Sequence, residues 1–251
     1  MVEVFPSPES VQEAAAERLV TAAAEARARS GRFALALSGG STPHGLYQRL
    51  AAEPYRSRIE WSSLQVFWGD ERCVPPEDAA SNYRMAREVL LDRVPIPPEQ
   101  VHRIRGESEP GDAAWEYELT LRAQFGVPSG PPRDGGTFDL ILLGLGADGH
   151  TASLFPGAAA LLERERWVLA VEGPVAPPRR VTLTPPVIRA AREVVFLVTG
   201  AEKGPALRRA LASGADPAPL PARVILPGHG MVRWLADSAA AGSSRLSDES
   251  A

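Results

Sequence analysis

The chain has 251 residues, 44% hydrophobic and 23% charged, which supports a folded core of ordinary size and excludes a disordered polymer. Its formal charge of -4 argues against a surface that grips nucleic acid by overall basicity, while leaving room for a local pocket for a small anion. Cys73 is the single cysteine, so no internal disulfide and no Cys/His zinc spacing is expected. With no basic start followed by an apolar run and no bilayer-length apolar stretch, neither a signal peptide nor a membrane segment is read, and a soluble cytoplasmic protein is expected.

From the N-terminus, Val11, Ala15, Leu19, Ala22 and Ala26 recur at helical spacing after a Ser7–Pro8 start and before Gly31, which predicts a first long helix. Phe33 to Leu37 is too short for three helical turns and reads as a buried strand. The same style recurs at Leu64 to Trp68, Phe138 to Leu143, Trp167 to Val171, Val181 to Leu183 and Val194 to Thr199. Helical patterns lie between several of these runs, at His44 to Leu50, Asn82 to Val94, Asp112 to Phe125 and Pro205 to Ala212. Alternation of this kind predicts an α/β fold with a mostly parallel sheet covered on both faces. Pro128 to Gly136 reads as a surface loop. A single domain over residues 1–237 is expected, followed by a flexible tail over 238–251.

Ligands of open α/β sheets gather at the carboxyl ends of the strands, and four such ends carry polar motifs. After the first run comes SGGSTP, Ser38, Gly39, Gly40, Ser41, Thr42 and Pro43. Its glycines let the backbone approach an anion, its hydroxyls donate, and Pro43 suits the first turn of a helix whose free N–H groups favour a phosphate. The plain alternative is a strand-to-helix turn with no ligand. The segment is neither a Walker loop nor a dinucleotide fingerprint. After the second run, Asp70, Glu71 and Arg72 are either a solvated charge run or, given their place, a site in which Arg72 meets phosphate oxygens through its planar fork. Asp70 and Glu71 are left with two roles, contact to sugar hydroxyls or organisation of Arg72, and Ser81 and Asn82 either cap the next helix or reach a ligand.

The third motif, GLGADGHTASLFPG, is the most informative. Asp148 and His150 offer a base and its orienting or charge-tuning partner, an imidazole of reference pKa about 6.5 suiting proton transfer near neutrality. A histidine satisfied by backbone contacts is the bland alternative, and it is applied to His44, His102 and His229. Arg179 and Arg180 precede the VTLT strand. Lys203, in TGAEKGPAL, opens a helix against its dipole, a mild anomaly that an anion would relieve.

Together, SGGSTP, WGDERCVPPEDAASNY, LGLGADGHTASLFPG, RVTLTPPVI and TGAEKGPAL closely resemble, in this order, the 6-phosphogluconolactonase family. The resemblance implies a Rossmann-like three-layer fold shared with glucosamine-6-phosphate deaminases and ribose-5-phosphate isomerases. It further implies hydrolysis of 6-phosphogluconolactone in the oxidative pentose phosphate pathway. By motif, His150 resembles the family's base, Ser38 to Thr42 its phosphate cradle, and Arg72, Arg180 and Lys203 its cationic contacts. No cofactor, metal, nucleic acid, membrane or obligate protein partner is implied. Two other readings stand beside it. The deaminase pattern is DGHIAFNEPG, with a glutamate assisting the histidine where this chain has Phe155. A phosphosugar sensor would carry an added helix-turn-helix, for which the N-terminal start is expected to leave no room.

Overall fold

The computed structural model describes residues 1–212, 220–226 and 230–242. The chain opens with strand β1 (Val2–Phe5) and helix α1 (Pro8–Ser30). Ser7 caps α1 by accepting from the Ser10 N–H, and Gly31, at φ 76°, returns its N–H to Arg27. The stripe Val11, Ala15, Leu19, Ala22, Ala26 is buried throughout, as its spacing predicts. Strand β2 (Phe33–Leu37) and helix α2 (Ser41–Leu50) follow, then the short helix α3 (Tyr55–Arg58), strand β3 (Leu64–Trp68) and the three-residue strand β4 (Asp70–Arg72). Helix α4 (Asn82–Val89) is shorter than the pattern suggested: a 3-10 turn replaces its expected last turn, and Val94 is extended, as the residue before Pro95 should be.

The second half supplies helix α5 (Pro110–Phe125) and strands β5 (Leu140–Gly144), β6 (Val168–Glu172) and β7 (Arg179–Leu183). Helix α6 (Pro185–Arg189), strand β8 (Glu193–Val198), helices α7 (Gly204–Leu211) and α8 (Pro221–Val224), strand β9 (Met231–Asp237) and helix α9 (Ser238–Ala241) complete it. Six strands make a wholly parallel sheet in the order β1-β9-β8-β5-β2-β3, flanked by helices. Its central strands β2 and β8 are buried at every position, the signature of a sheet covered on both faces. Phe196 and Trp234 stack at 3.8 Å between β8 and β9.

Two expectations need amending. Runs 167–171 and 181–183 do not join the parallel sheet; β6 and β7 pair antiparallel with each other and with β4 in a separate three-stranded sheet. And α9 occupies the start of the expected tail, held by the Asp237 carboxylate accepting from the Ala240 N–H at 2.7 Å, with Ala240 and Ala241 buried. The rest of that tail, 243–251, and His229 lie outside the described residues. Among the described residues no helix is long and apolar enough to cross a membrane.

Candidate active site

Strand order reverses direction at β2: β3 lies on one side, while β5, reached by a later crossover, lies on the other. A crevice is expected there, at the carboxyl ends of the strands. A cleft of about 320 Å³ occupies that place, walled by the segments leaving β2, β5 and β8 and by the β4–β7 ribbon. It brings together Ser38, Gly39, Gly40, Ser41, Thr42, Asp70, Arg72, His150, Arg180 and Lys203. Asp148 does not line it but touches it through His150, and Glu71, Ser81 and Arg179 also stay outside it.

On the β2 side, Leu37 passes through Ser38 and Gly39 to Gly40, which caps α2 at φ 111°, in the left-handed region that favours glycine. No side chain caps α2 and its first turn holds no acid, so the Ser41 and Thr42 N–H groups have no partner within the helix. The Tyr47 hydroxyl accepts from the Ser38 N–H (2.9 Å) and donates to the Ser38 carbonyl (2.8 Å), pinning the loop from beneath. A methyl group on Gly39 would overlap Asn82, so the loop's path requires glycine there too. Of the three hydroxyls expected to face a ligand, Ser38 donates to the Gly39 carbonyl and Thr42 bonds Thr199 at 2.6 Å; that of Ser41 has no partner among the described residues.

The charged run 70–72 is not a solvated one. Asp70 is buried and accepts from the Ser153 hydroxyl at 2.6 Å, and Asn82 donates to the Asp70 carbonyl at 2.9 Å. Glu71, 3% exposed, does not line the cleft. Its two oxygens accept from the N–H groups of Arg72, Asn82 and Tyr83 and from the Ser81 hydroxyl, at 2.7 to 3.0 Å. Burial raises the Glu71 carboxyl above the ordinary range while these four donors oppose it. Of the two roles left open by the sequence, organisation of the Arg72 strand fits Glu71, and a place in the cleft wall fits Asp70. Ser81 caps α4 and Asn82 lines the cleft, so both expected outcomes occur, one at each residue.

Arg72 and Arg180 face each other in register across β4 and β7. Arg72 Nη1 donates to the Ala80 carbonyl at 2.6 Å, and its Nε is buried with no partner among the described residues. Arg180, 6% exposed, donates among the described residues only to the Pro177 and Val175 carbonyls and lies over the Phe155 ring. Burial and the Arg72 charge push the Arg180 guanidinium below its usual value. Neither arginine has an ion pair among the described residues, so the cleft holds two adjacent cations that an anion would relieve. Lys203 stands at the N-cap of α7, its Nζ 3.9 Å from Glu202. Arg179, by contrast, is exposed and outside the cleft.

Across from the arginines, His150 Nδ1 meets Asp148 Oδ1 at 2.6 Å, and the His150 N–H reaches the same oxygen at 3.1 Å. Burial raises the Asp148 carboxyl, but these hydrogen bonds and the neighbouring imidazole outweigh it and hold the carboxyl below the ordinary range. A carboxylate only accepts, so the neutral imidazole carries its proton on Nδ1 and leaves the Nε2 lone pair available as a base. Gly146 lies under this pair, where any Cβ would overlap both side chains. The Phe155 ring centroid is 5.0 Å from that of His150. His102 shows the bland alternative: it stacks on Phe67, bonds Gln65 at 2.8 Å and has its pKa lowered by burial.

A family model described as glucosamine-6-phosphate isomerases/6-phosphogluconolactonase matches residues 6–234. The chain belongs to this family. Within the glucosamine-6-phosphate isomerase/6-phosphogluconolactonase family it is 42% identical over 246 residues to the 6-phosphogluconolactonase of Mycobacterium tuberculosis, covering 96% of each chain. It is 41% identical to that of Nostoc sp. over 95% of this chain and 96% of the relative. The solved 6-phosphogluconolactonase structure from Trypanosoma cruzi superposes with a TM-score of 0.85 at 33% identity, covering 96% of this chain and 95% of that one.

Thr199, Glu202, Thr151, Ala152 and Gly146 also line the cleft; all five lie inside the motifs that carry the resemblance, but none was given a role of its own from the sequence. For Thr199 and Glu202 position was the signal, Thr199 ending a predicted strand and Glu202 following it closely.

Proposed function

We propose that this protein hydrolyses 6-phospho-D-glucono-1,5-lactone to 6-phospho-D-gluconate, as a cytoplasmic ester hydrolase of the oxidative pentose phosphate pathway that needs no cofactor. One observation carries the reading: an imidazole oriented by a carboxylate faces, across one cleft, a glycine loop at a helix N-terminus and two arginines with no ion-pair partner among the described residues. The phosphate docks between Ser38–Thr42 and the cations Arg72, Arg180 and Lys203, where charge-assisted hydrogen bonds are strongest. That contact fixes the lactone ring, and position supplies much of the rate. His150 Nε2 takes a proton from water as its oxygen bonds to C1. When the C1–O5 bond breaks, the imidazolium returns the proton to O5, and the new carboxylic acid ionises in water. Asp148 keeps the proton on Nδ1 and stabilises the imidazolium.

The test is acid release from freshly made 6-phosphogluconolactone by purified protein, above the spontaneous rate. Absence of catalysis with tight phosphosugar binding retained would favour a sensor and overturn the proposal. Phe155, packed against His150 where the deaminase pattern has its glutamate, speaks against amination chemistry. Glucosamine 6-phosphate should therefore release no ammonia, and ammonia release would move the protein to the deaminase branch.

A further inference from the structure

Ester hydrolysis places negative charge on the carbonyl oxygen, and a donor aimed at that charge is worth a large share of the rate. The glycine loop after β5 is the obvious source, yet most of its N–H groups are already used. Gly146 donates to the His150 carbonyl (2.8 Å), Gly149 to the Gly146 carbonyl (2.9 Å) and His150 to Asp148 (3.1 Å). Thr151 donates to the Leu154 carbonyl (3.3 Å), and Ser153 to Thr182 Oγ1 (3.2 Å).

Ala152 differs. It lines the cleft, and its N–H has no hydrogen-bond partner among the described residues. Its φ of 48° makes it the one non-glycine residue with positive φ among those described, a conformation alanine rarely adopts. The cause is local: Thr151 and Leu154 exchange both backbone hydrogen bonds across a two-residue turn, and the primed turns that close such a loop need positive φ at their first central residue. The turn is anchored from three sides. The Thr151 hydroxyl donates to the Gly144 carbonyl (2.9 Å), the Ser153 hydroxyl to Asp70, and the Ser153 N–H to Thr182. Strain of this kind persists only where the surroundings over-determine it, and it clusters at sites of function.

We propose that the backbone N–H of Ala152 is an oxyanion donor for the lactonase reaction, an inference that rests on the function proposed above. Two residues from His150 on the same cleft wall, it receives the carbonyl oxygen as the water oxygen bonds to C1 and the C=O π pair moves onto that oxygen. The pair returns to the C–O bond when C1–O5 breaks, so the contact strengthens between ground and transition states and acts on kcat.

The test is to replace residue 152 by lactic acid, an ester link that exchanges the N–H for oxygen and leaves the methyl group in place. In that variant kcat should fall about 10²- to 10³-fold with KM for the phospholactone little changed, as for loss of one oxyanion donor. An ester variant that folds and retains its kcat overturns the proposal, whereas an unaltered protein without lactonase activity overturns the function reading instead. Should the ester variant not fold, protein labelled with 15N-alanine and saturated with 6-phosphogluconate decides: a downfield shift of the Ala152 amide proton supports the contact, and an unmoved resonance overturns it.

Discussion

The two ends of the parallel sheet use arginine in opposite ways. At the amino ends of the strands, Glu193 at the start of β8 accepts from Arg18 at 2.7 to 3.0 Å and from Arg233 at 2.8 Å. Asp139, just before β5, pairs with Arg29 and with Arg192. At the carboxyl ends, Arg72 and Arg180 sit beside each other on the β4–β7 ribbon, their side chains bonded only to carbonyls among the described residues. Paired arginines serve folding. Arg180, buried, and Arg72, partly buried, have no ion pair among the described residues and bring positive charge beside the glycine loop of a net-acidic protein, which favours an anion there.

The comparison assigns chemistry to one end and stability to the other, which mutation can separate. The largest effect is expected at His150: His150→Ala should lower turnover roughly 10²- to 10⁴-fold, the usual worth of a positioned base, with unfolding unchanged. Near-normal turnover, measured by acid release, would remove His150 from the mechanism. Next, Glu193→Ala removes the buried acceptor shared by Arg18 and Arg233, leaving them the more exposed Glu25 and Glu3, and should cost about 2–3 kcal/mol in denaturant unfolding, with kcat intact. A stable variant would show that the amino-end network is dispensable.

At the carboxyl end, Arg180→Ala should reduce the ratio of catalytic efficiencies for the phosphorylated over the unphosphorylated lactone about 10- to 100-fold, the worth of a charge-assisted hydrogen bond. Arg192→Ala, on the other end, should leave that ratio unchanged. Equal ratios in both variants would dissolve the contrast. The smallest effect concerns pH. Hydrogen bonds from His150 hold the Asp148 carboxyl below its ordinary range, so it stays ionised at neutral pH and any loss of turnover from its protonation should set in only below that range. Asp148→Asn should be slower throughout and lack that low-pH loss. A loss that persists unchanged in Asp148→Asn would assign it to another group.

Much of this was legible from local pattern. Phe33–Leu37 and Leu64–Trp68 stood out as strands because continuous apolar runs bounded by turns leave few alternatives. The edge strand β1 and the pairing of β9 did not: β1 spans four residues with only partial burial, and the apolar run of β9 is only Trp234–Ala236, flanked by Arg233 and Asp237, so neither shows a long apolar run. Strand β4 was hidden for a different reason. Asp70, Glu71 and Arg72 fitted a solvated charge run as well as a ligand site, and neither reading marks a strand; the donors of Ser81, Asn82, Tyr83 and Ser153 make burial of those acids tolerable.

The sequence by itself determined which residues reach the cleft from strand ends, because in a parallel sheet every such end points the same way and its turn residues are written consecutively. Tertiary structure alone decided what those residues are free to do. Whether a side chain or N–H is spent or available depends on partners far away in the chain: Thr42 is taken by Thr199 and Asp70 by Ser153. Arg72 meets Arg180 across a ribbon closed by more than a hundred residues of intervening chain, while the Ala152 N–H is left without a partner among the described residues because the turn around it is anchored elsewhere. Hydrogen-bond saturation is a property of the packed whole, so a local pattern names the candidates and only the fold selects among them.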